Sequence, residues 1–308
     1  MNKFSAWVTA LRLRTLPLAA ASIILAAGLA EKAGIFDGLI FSLSLLTALL
    51  LQILSNLAND YGDAISGADN ESRVGPMRGM QMGMISKDAM KNAIIFTVVL
   101  CLISGLTLLS VALKGDIYSW VLFLSFGGLS IGAAISYTIG KLSYGYRALG
   151  DVSVFIFFGL LGVLGSYYLY DLTFEFSLLL PATSIALLSV AVLNINNMRD
   201  MYTDKAANKT TLVVIWGRTF AFSYHLFLVL TAPLLSVLYL IVSSDPAAWQ
   251  FLILLILVPI IKSCLSLNRL IKDDYREGAK FNEQLKNTSL TAFGFSIFFS
   301  LLLISVNL

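Results

Sequence analysis

An all-α, polytopic membrane protein with about nine transmembrane helices is the fold this sequence predicts, and three observations carry it. Of its 308 residues, 58% are hydrophobic and 13% charged, with a mean hydropathy of +0.84, too apolar for a soluble domain of this length. Apolar runs of about 20 residues, enough to cross roughly 30 Å of hydrocarbon, recur along the whole chain. The basic residues fall in alternate connections between those runs, as membrane insertion favours.

The first run, near 15–31, follows Lys3, Arg12 and Arg14 and carries Pro17 early, where a first helical turn tolerates it. Basic residues ahead of an apolar stretch, with Gly28 and Ala30 at its end, imitate a secretory signal. Removing the segment would leave an even number of spans, so it is read as a span. The others lie near 38–58, 90–113, 118–140, 150–170, 176–198, 219–242, 247–270 and 288–308. With Lys3, Arg12 and Arg14 inside, the alternate connections gather 19 of the 21 Lys and Arg residues, leaving only Lys32 and Lys114 opposite. This places the N-terminus inside and the C-terminus outside a cytoplasmic (inner) membrane. The net charge of +3 then reflects topology and anionic membrane lipid rather than nucleic acid, for which no motif is present.

No low-complexity or Pro/Gly/Ser-rich linker divides the chain, so residues 1–308 read as one membrane-embedded domain. Cys101 and Cys264 fall within spans and read as small hydrophobes. The single His225 cannot build a His-based zinc site alone. The connections after the second and sixth spans are the long ones, the latter about 20 residues, and long connections in a compact domain are usually functional. Each opens with Asn-x-x-x-Asp, at Asn59/Asp63 and Asn196/Asp200, suggesting a four-helix repeat over about 15–140 and 150–270 plus a last helix.

Residues three or four apart share a helical face, so Asn56, Asn59, Asp60 and Asp63 project together at the second span's inner end. Asn196, Asp200 and Asp204 do likewise on the sixth. Carboxylates beside hydrocarbon cost several kcal/mol and mark a functional site by default. Clustered acids repel unless a cation joins them, and an oxygen-only set without thiolate or imidazole suits Mg²⁺ bound together with substrate phosphate. Arg73, Arg78, Lys141, Arg147 and Lys209 supply counter-charges. Acids, metal and cations in a membrane point to a lipid-soluble diphosphate whose departure the charges assist. The allylic cation left behind would be captured by an electron-rich aromatic ring. Capping for Asn56, Asn194 and Asn197, topology anchoring for Arg12 and Arg14, and an interfacial belt for Tyr61, Tyr137, Tyr144, Tyr146 and Tyr202 are the structural alternatives.

These strings resemble the UbiA superfamily of intramembrane prenyltransferases, whose signatures are Asn-x-x-x-Asp-x-x-x-Asp and Asp-x-x-x-Asp. Asn59 and Asp63 match the first, but its third acid is replaced by Gly67, leaving that ligand open between Asp60 and Asp69. Asp200 and Asp204 match the second, and Tyr137-x-x-x-Lys141 resembles a further family element. RLRTLPL at 12–18, NLANDYGD at 56–63, GPMRGMQ at 75–81, YGYRALGD at 144–151 and NNMRD at 196–200 resemble the branch acting on 1,4-dihydroxy-2-naphthoate in menaquinone synthesis. The resemblance implies helices around a central cavity opening to the cytoplasm, Mg²⁺ dependence, a long prenyl diphosphate donor, and replacement of the acceptor's carboxylate with loss of CO₂. It implies Asp63, Asp200, Asp204 and Lys141 as catalytic residues. Asn59, Asp60, Asp63, Asn196, Asp200 and Asp204 would hold metal, and Arg73, Arg78, Lys141 and Lys209 the diphosphate. Arg14, Tyr137, Arg147 and Asp151 would meet the acceptor. The alternatives are another aromatic acceptor or, in a different class, a transporter.

Overall fold

The computed structural model describes residues 2–67, 78–140, 143–243, 246–274 and 278–304. Among these, nine helices are long and apolar enough to cross a membrane: α1 (Lys3–Lys32), α2 (Gly38–Ser66), α3 (Lys87–Ala112), α4 (Ile117–Ser136), α5 (Gly150–Asp171), α6 (Phe176–Ala206), α7 (Leu212–Ser243), α8 (Ala248–Lys272) and α9 (Gly278–Ile304). No strand occurs among the described residues, only an isolated bridge between Arg147 and Thr210.

Helix starts follow from caps. Asp37 accepts hydrogen bonds from the amides of Leu39 and Ile40 to open α2, and Ser86 accepts from Ala89 to open α3. Gly67, at φ +76°, ends α2 in the left-handed conformation that a glycine adopts without strain. Two helices are broken. In α1, Arg12 takes φ 48° and the chain restarts through a short tight turn at Leu13–Thr15 before Pro17. In α7, Gly217 interrupts the helix at φ 78° and ψ 165°.

The polar ends of the spans differ from the hydropathy-based bounds. α2 runs on to Ser66 and α6 to Ala206, while α7 starts at Leu212, so the sixth connection is residues 207–211 rather than about 20 residues. Hydropathy stops at the first Asn or Asp, whereas the backbone continues helical because those side chains turn into the protein rather than toward lipid.

α1 and α6 are the most buried helices, and α4 is the least. Between spans the lipid is as apolar as the side chains, so packing rests on close van der Waals fit. Phe281, Phe295 and Phe299 of α9 are fully enclosed. Small residues let backbones approach: a Cβ on Gly159 would lie 2.1 Å from the Ala186 Cβ, and one on Gly28 would lie 2.3 Å from the Ser300 Cβ. Within α5, Phe155–Gly165 is wound as a π-helix, and the hydroxyl of Ser22 donates to the Phe158 carbonyl there. Cys101 and Cys264 are buried free thiols, as expected of core residues.

Candidate active site

A cavity of about 460 Å³ opens among α1–α6, and its lining changes along its depth. Deep in the bundle it is apolar, with Leu102, Leu106, Phe123, Phe126, Phe157 and Leu161 on its walls. At the other end it is charged. Asn59 and Asp63 reach it from α2, and Asn196, Asp200 and Asp204 reach it from α6. The two acidic stretches therefore converge on one space.

Each acid is already held by a cation. Asp63 accepts from Arg78 Nη1 at 2.8 Å and from the Tyr146 hydroxyl at 2.7 Å. Asp200 is gripped by its neighbour Arg199, with Nε at 2.8 Å and Nη2 at 2.5 Å. Arg199 also donates to Asn196 Oδ1 at 2.9 Å and to Asn282 Oδ1 on α9 at 2.6 Å. Asp204 Oδ1 lies 3.3 Å from Lys209 Nζ, and Lys209 stands 5.6 Å from the centre of the Tyr146 ring. The run Asp204–Lys209–Tyr146–Asp63 thus links the motif on α6 to the motif on α2. Among the described residues no group of three or more acids, histidines or cysteines is close enough to grip one ion as it stands.

Burial alone would lower the pKa of Lys209, yet Asp204 and then Asp63 outweigh it and hold the ammonium above the ordinary lysine range. Burial pushes the Tyr137 hydroxyl up to about 12, with Lys209 opposing. Tyr137 packs edge-on against Tyr144, centroids 5.2 Å apart, and the Tyr144 hydroxyl donates to the Ala133 carbonyl at 2.9 Å. The loop that carries these tyrosines is tied to the Lys209 loop by Ala148 N–H to the Thr210 carbonyl at 2.9 Å and Thr210 N–H to the Tyr146 carbonyl at 3.2 Å.

Arg12, Arg14, Arg78, Arg199 and Lys209 line the cavity against Asp63, Asp200 and Asp204, five cations to three acids among the described residues. Such a surplus favours a multiply charged anion.

Three residues expected at the site lie elsewhere. Asp60 is 1% exposed and absent from the cavity wall; it lies 2.5 Å from Arg12 Nη2 and 3.3 Å from Arg78 Nε. Its place one residue after Asn59 turns it about 100° around the helix, toward α1. Asp151 is buried off the wall and hydrogen-bonded to Tyr224 of α7. Arg147 is exposed outside it. Arg14 and Tyr137 do line it. Arg73, Lys141 and Asp69 lie outside the described residues. Arg199 and Tyr146 are not among the site residues the sequence singles out. The one available signal for Arg199 was its place directly before Asp200 in a cationic, acidic pair.

The model of the "UbiA prenyltransferase family" matches residues 19–286. The chain belongs to that family. It is 50% identical over 255 residues to a "1,4-dihydroxy-2-naphthoate octaprenyltransferase" of Escherichia coli (strain K12), covering 83% of this chain and 82% of the relative. To the protein of the same name from Haemophilus influenzae it is 42% identical over 265 residues, 84% of each chain. Its fold matches the structure of a UbiA homolog from Archaeoglobus fulgidus bound to DMAPP and Mg²⁺, with a TM-score of 0.56 at 17% identity over 96% of this chain and 99% of that one. As a UbiA member it is an integral membrane prenyltransferase.

Proposed function

We propose that this chain transfers a polyprenyl group from an allylic prenyl diphosphate to 1,4-dihydroxy-2-naphthoate with loss of CO₂, giving demethylmenaquinone in its quinol form. The observation that carries this is the cavity itself: acids of both motifs and a surplus of cations at one end, apolar helices at the other. The likeness to two naphthoate octaprenyltransferases supports the choice of acceptor.

Asn59, Asp63, Asn196, Asp200 and Asp204 are the residues that would hold Mg²⁺. Their donors are all hard oxygens, and the buried Asp204 Oδ2 has no hydrogen-bond partner among the described residues, which fits a site completed by an ion. Mg²⁺ would supply positive charge against the leaving diphosphate. Arg78, Lys209 and Arg199 reach the same space and take up charge as the allylic C–O bond breaks and its electron pair leaves with the diphosphate. Arg73 and Lys141 belong to the same proposed set.

The apolar walls, with Phe123, Phe126 and Phe157, would house the prenyl chain and keep water from the reacting end. The ring then forms a C–C bond to the prenyl carbon. CO₂ departs and leaves its bonding pair in the ring, so the exchange is balanced without a further reductant. Arg14 and Tyr137, which line the same cavity, would meet the acceptor. The distribution of basic residues supports an N-inside chain with the site toward the cytoplasm.

Purified protein in lipid, given Mg²⁺, a polyprenyl diphosphate and carboxyl-labelled dihydroxynaphthoate, should release labelled CO₂ and a prenylated quinol in equal amounts. Absence of both products would refute the assignment.

A further inference from the structure

Gln52 shares one face of α2 with Asn56, Asn59 and Asp63 and lines the cavity, about 10 Å further along the helix than Asn59. It is 9% exposed, and its Oε1 is closed to solvent with no hydrogen-bond partner among the described residues. Buried carbonyl oxygens are rarely left so.

The break in α1 fixes which way that amide faces. Thr15 gives its hydroxyl proton to the Arg12 carbonyl at 2.9 Å, so toward other groups it is an acceptor only. Asn56 Nδ2 donates to the Leu11 carbonyl at 3.0 Å and to Thr15 Oγ1 at 3.1 Å, which turns Asn56 Oδ1 toward Gln52. Gln52 Nε2 then donates to Thr15 Oγ1 at 3.2 Å and to Asn56 Oδ1 at 3.1 Å. Reversing the Gln52 amide would set oxygen against oxygen at Asn56 and leave Thr15 without that donor. The relay starts from backbone carbonyls released by the left-handed Arg12, and it commits both N–H groups. What remains is an acceptor without a donor among the described residues, which a ligand group reaches only as the side chains that cover it part.

Of the groups that would enter this cavity, a prenyl chain offers no donor and a diphosphate offers acceptors. A hydroxyl on the acceptor ring is the donor. We propose that Gln52 is an acceptor-binding residue whose Oε1 takes a hydrogen bond from one ring hydroxyl of the dihydroxynaphthoate; this rests on the function proposed above. A neutral amide holds that proton without removing it. The ring is thereby oriented and its electron density raised for attack on the prenyl carbon.

The test compares wild type with Gln52→Met, close in volume but without a hydrogen-bonding group. Two competitors each lack one hydroxyl: 1-hydroxy-2-naphthoate and 4-hydroxy-2-naphthoate. In wild type the competitor missing the hydroxyl held by Gln52 should bind about 10- to 100-fold more weakly than the other. In Gln52→Met both should bind alike, with KM for the prenyl diphosphate unchanged. Equal binding in wild type, or the same ratio in the variant, overturns the inference. If wild type forms no prenylated naphthoate at all, the parent function fails and this inference with it. Should Gln52→Met not fold, a structure of wild type with the bound acceptor decides: a ring hydroxyl within hydrogen-bond reach of Gln52 Oε1 upholds the proposal, and a ring whose hydroxyls lie elsewhere ends it.

Discussion

Lys209 Nζ lies 3.3 Å from Asp204 Oδ1, and this pair joins the sixth connection to the motif at the end of α6. Both side chains are about nine-tenths buried, so removing one partner leaves a charge that water cannot compensate. Lys209→Met should lower kcat/KM for the prenyl diphosphate by about 100-fold, in the range of lost charge contacts to a leaving group. KM for the ring acceptor should change little. Steady-state kinetics with each substrate varied in turn checks the split, and an effect confined to the acceptor would contradict it.

The same pair sets an expectation in pH. The folded-state pKa of Lys209 is raised above its unfolded value, so its stabilising contribution is complete below the ordinary lysine pKa of about 10.4 and is lost only as pH climbs through the higher folded value. Between roughly pH 6 and 9 Lys209 stays charged, and the Tyr137 hydroxyl at about 12 stays protonated. Profiles of kcat/KM for wild type and Lys209→Arg should therefore share one shape across that range. A fall on the basic side in wild type that Lys209→Arg abolishes would show that the lysine titrates earlier.

Asp63 and Asp200 stand on different helices but face one cavity. If they hold Mg²⁺, Asp63→Ala and Asp200→Ala should each reduce transfer by about 1000-fold or more, leave the helix content intact, and abolish the Mg²⁺ dependence of prenyl diphosphate binding. Chelation with EDTA should mimic both variants, and added Mg²⁺ should restore the wild type only. Transfer at the wild-type rate in either variant would remove that residue from the site.

How much of this could be read from the sequence depends on what kind of information each feature carries. The spans were legible because a bilayer demands length and apolarity that no local detail overrides. Asn59, Asp63, Asp200 and Asp204 were legible as candidates because polar and acidic residues at helical spacing in a lipid-facing chain need a reason. Asp60 was not separable from them: Asn59 and Asp60 are adjacent letters, and only the position of α1 shows that one faces the cavity and the other faces Arg12. Asp151 entered the expected acceptor site through the resemblance, and the position of Tyr224 on α7, which draws it off the wall, is not written near it in the chain. The Gln52 relay depends on a backbone break at Arg12, and hydropathy is blind to φ.

Asp60 offers a way to separate scaffold from ligand. It is 1% exposed and holds Arg12 and Arg78 together, so Asp60→Asn should destabilise the protein by about 1–3 kcal/mol: Arg12 loses its charge partner, while Arg78 keeps Asp63. KM for the prenyl diphosphate should rise as Arg78 loses one of its two acidic anchors, while the Mg²⁺ concentration giving half-maximal activity stays unchanged. Thermal unfolding in detergent and a Mg²⁺ titration measure the two effects. A large shift in the Mg²⁺ requirement without loss of stability would return Asp60 to the metal.

Gly159 tests the packing that shapes the apolar end of the cavity. It sits within the π-wound part of α5, whose neighbours Phe157, Phe158, Leu161 and Gly162 line the wall. A Cβ there would lie 2.1 Å from the Ala186 Cβ and 2.6 Å from its Cα, and backbone cannot yield as the tip of a flexible side chain can. Gly159→Ala must therefore push α5 from α6, at a cost of about 1–3 kcal/mol for overpacking. That motion displaces the aromatic wall and leaves the charged end, carried by α2 and the end of α6, largely in place. The variant should unfold at lower temperature and lose kcat with long-chain donors while its affinity for inorganic diphosphate with Mg²⁺ persists. Unaltered thermal stability would mean that the two helices do not pack as closely as this interface requires.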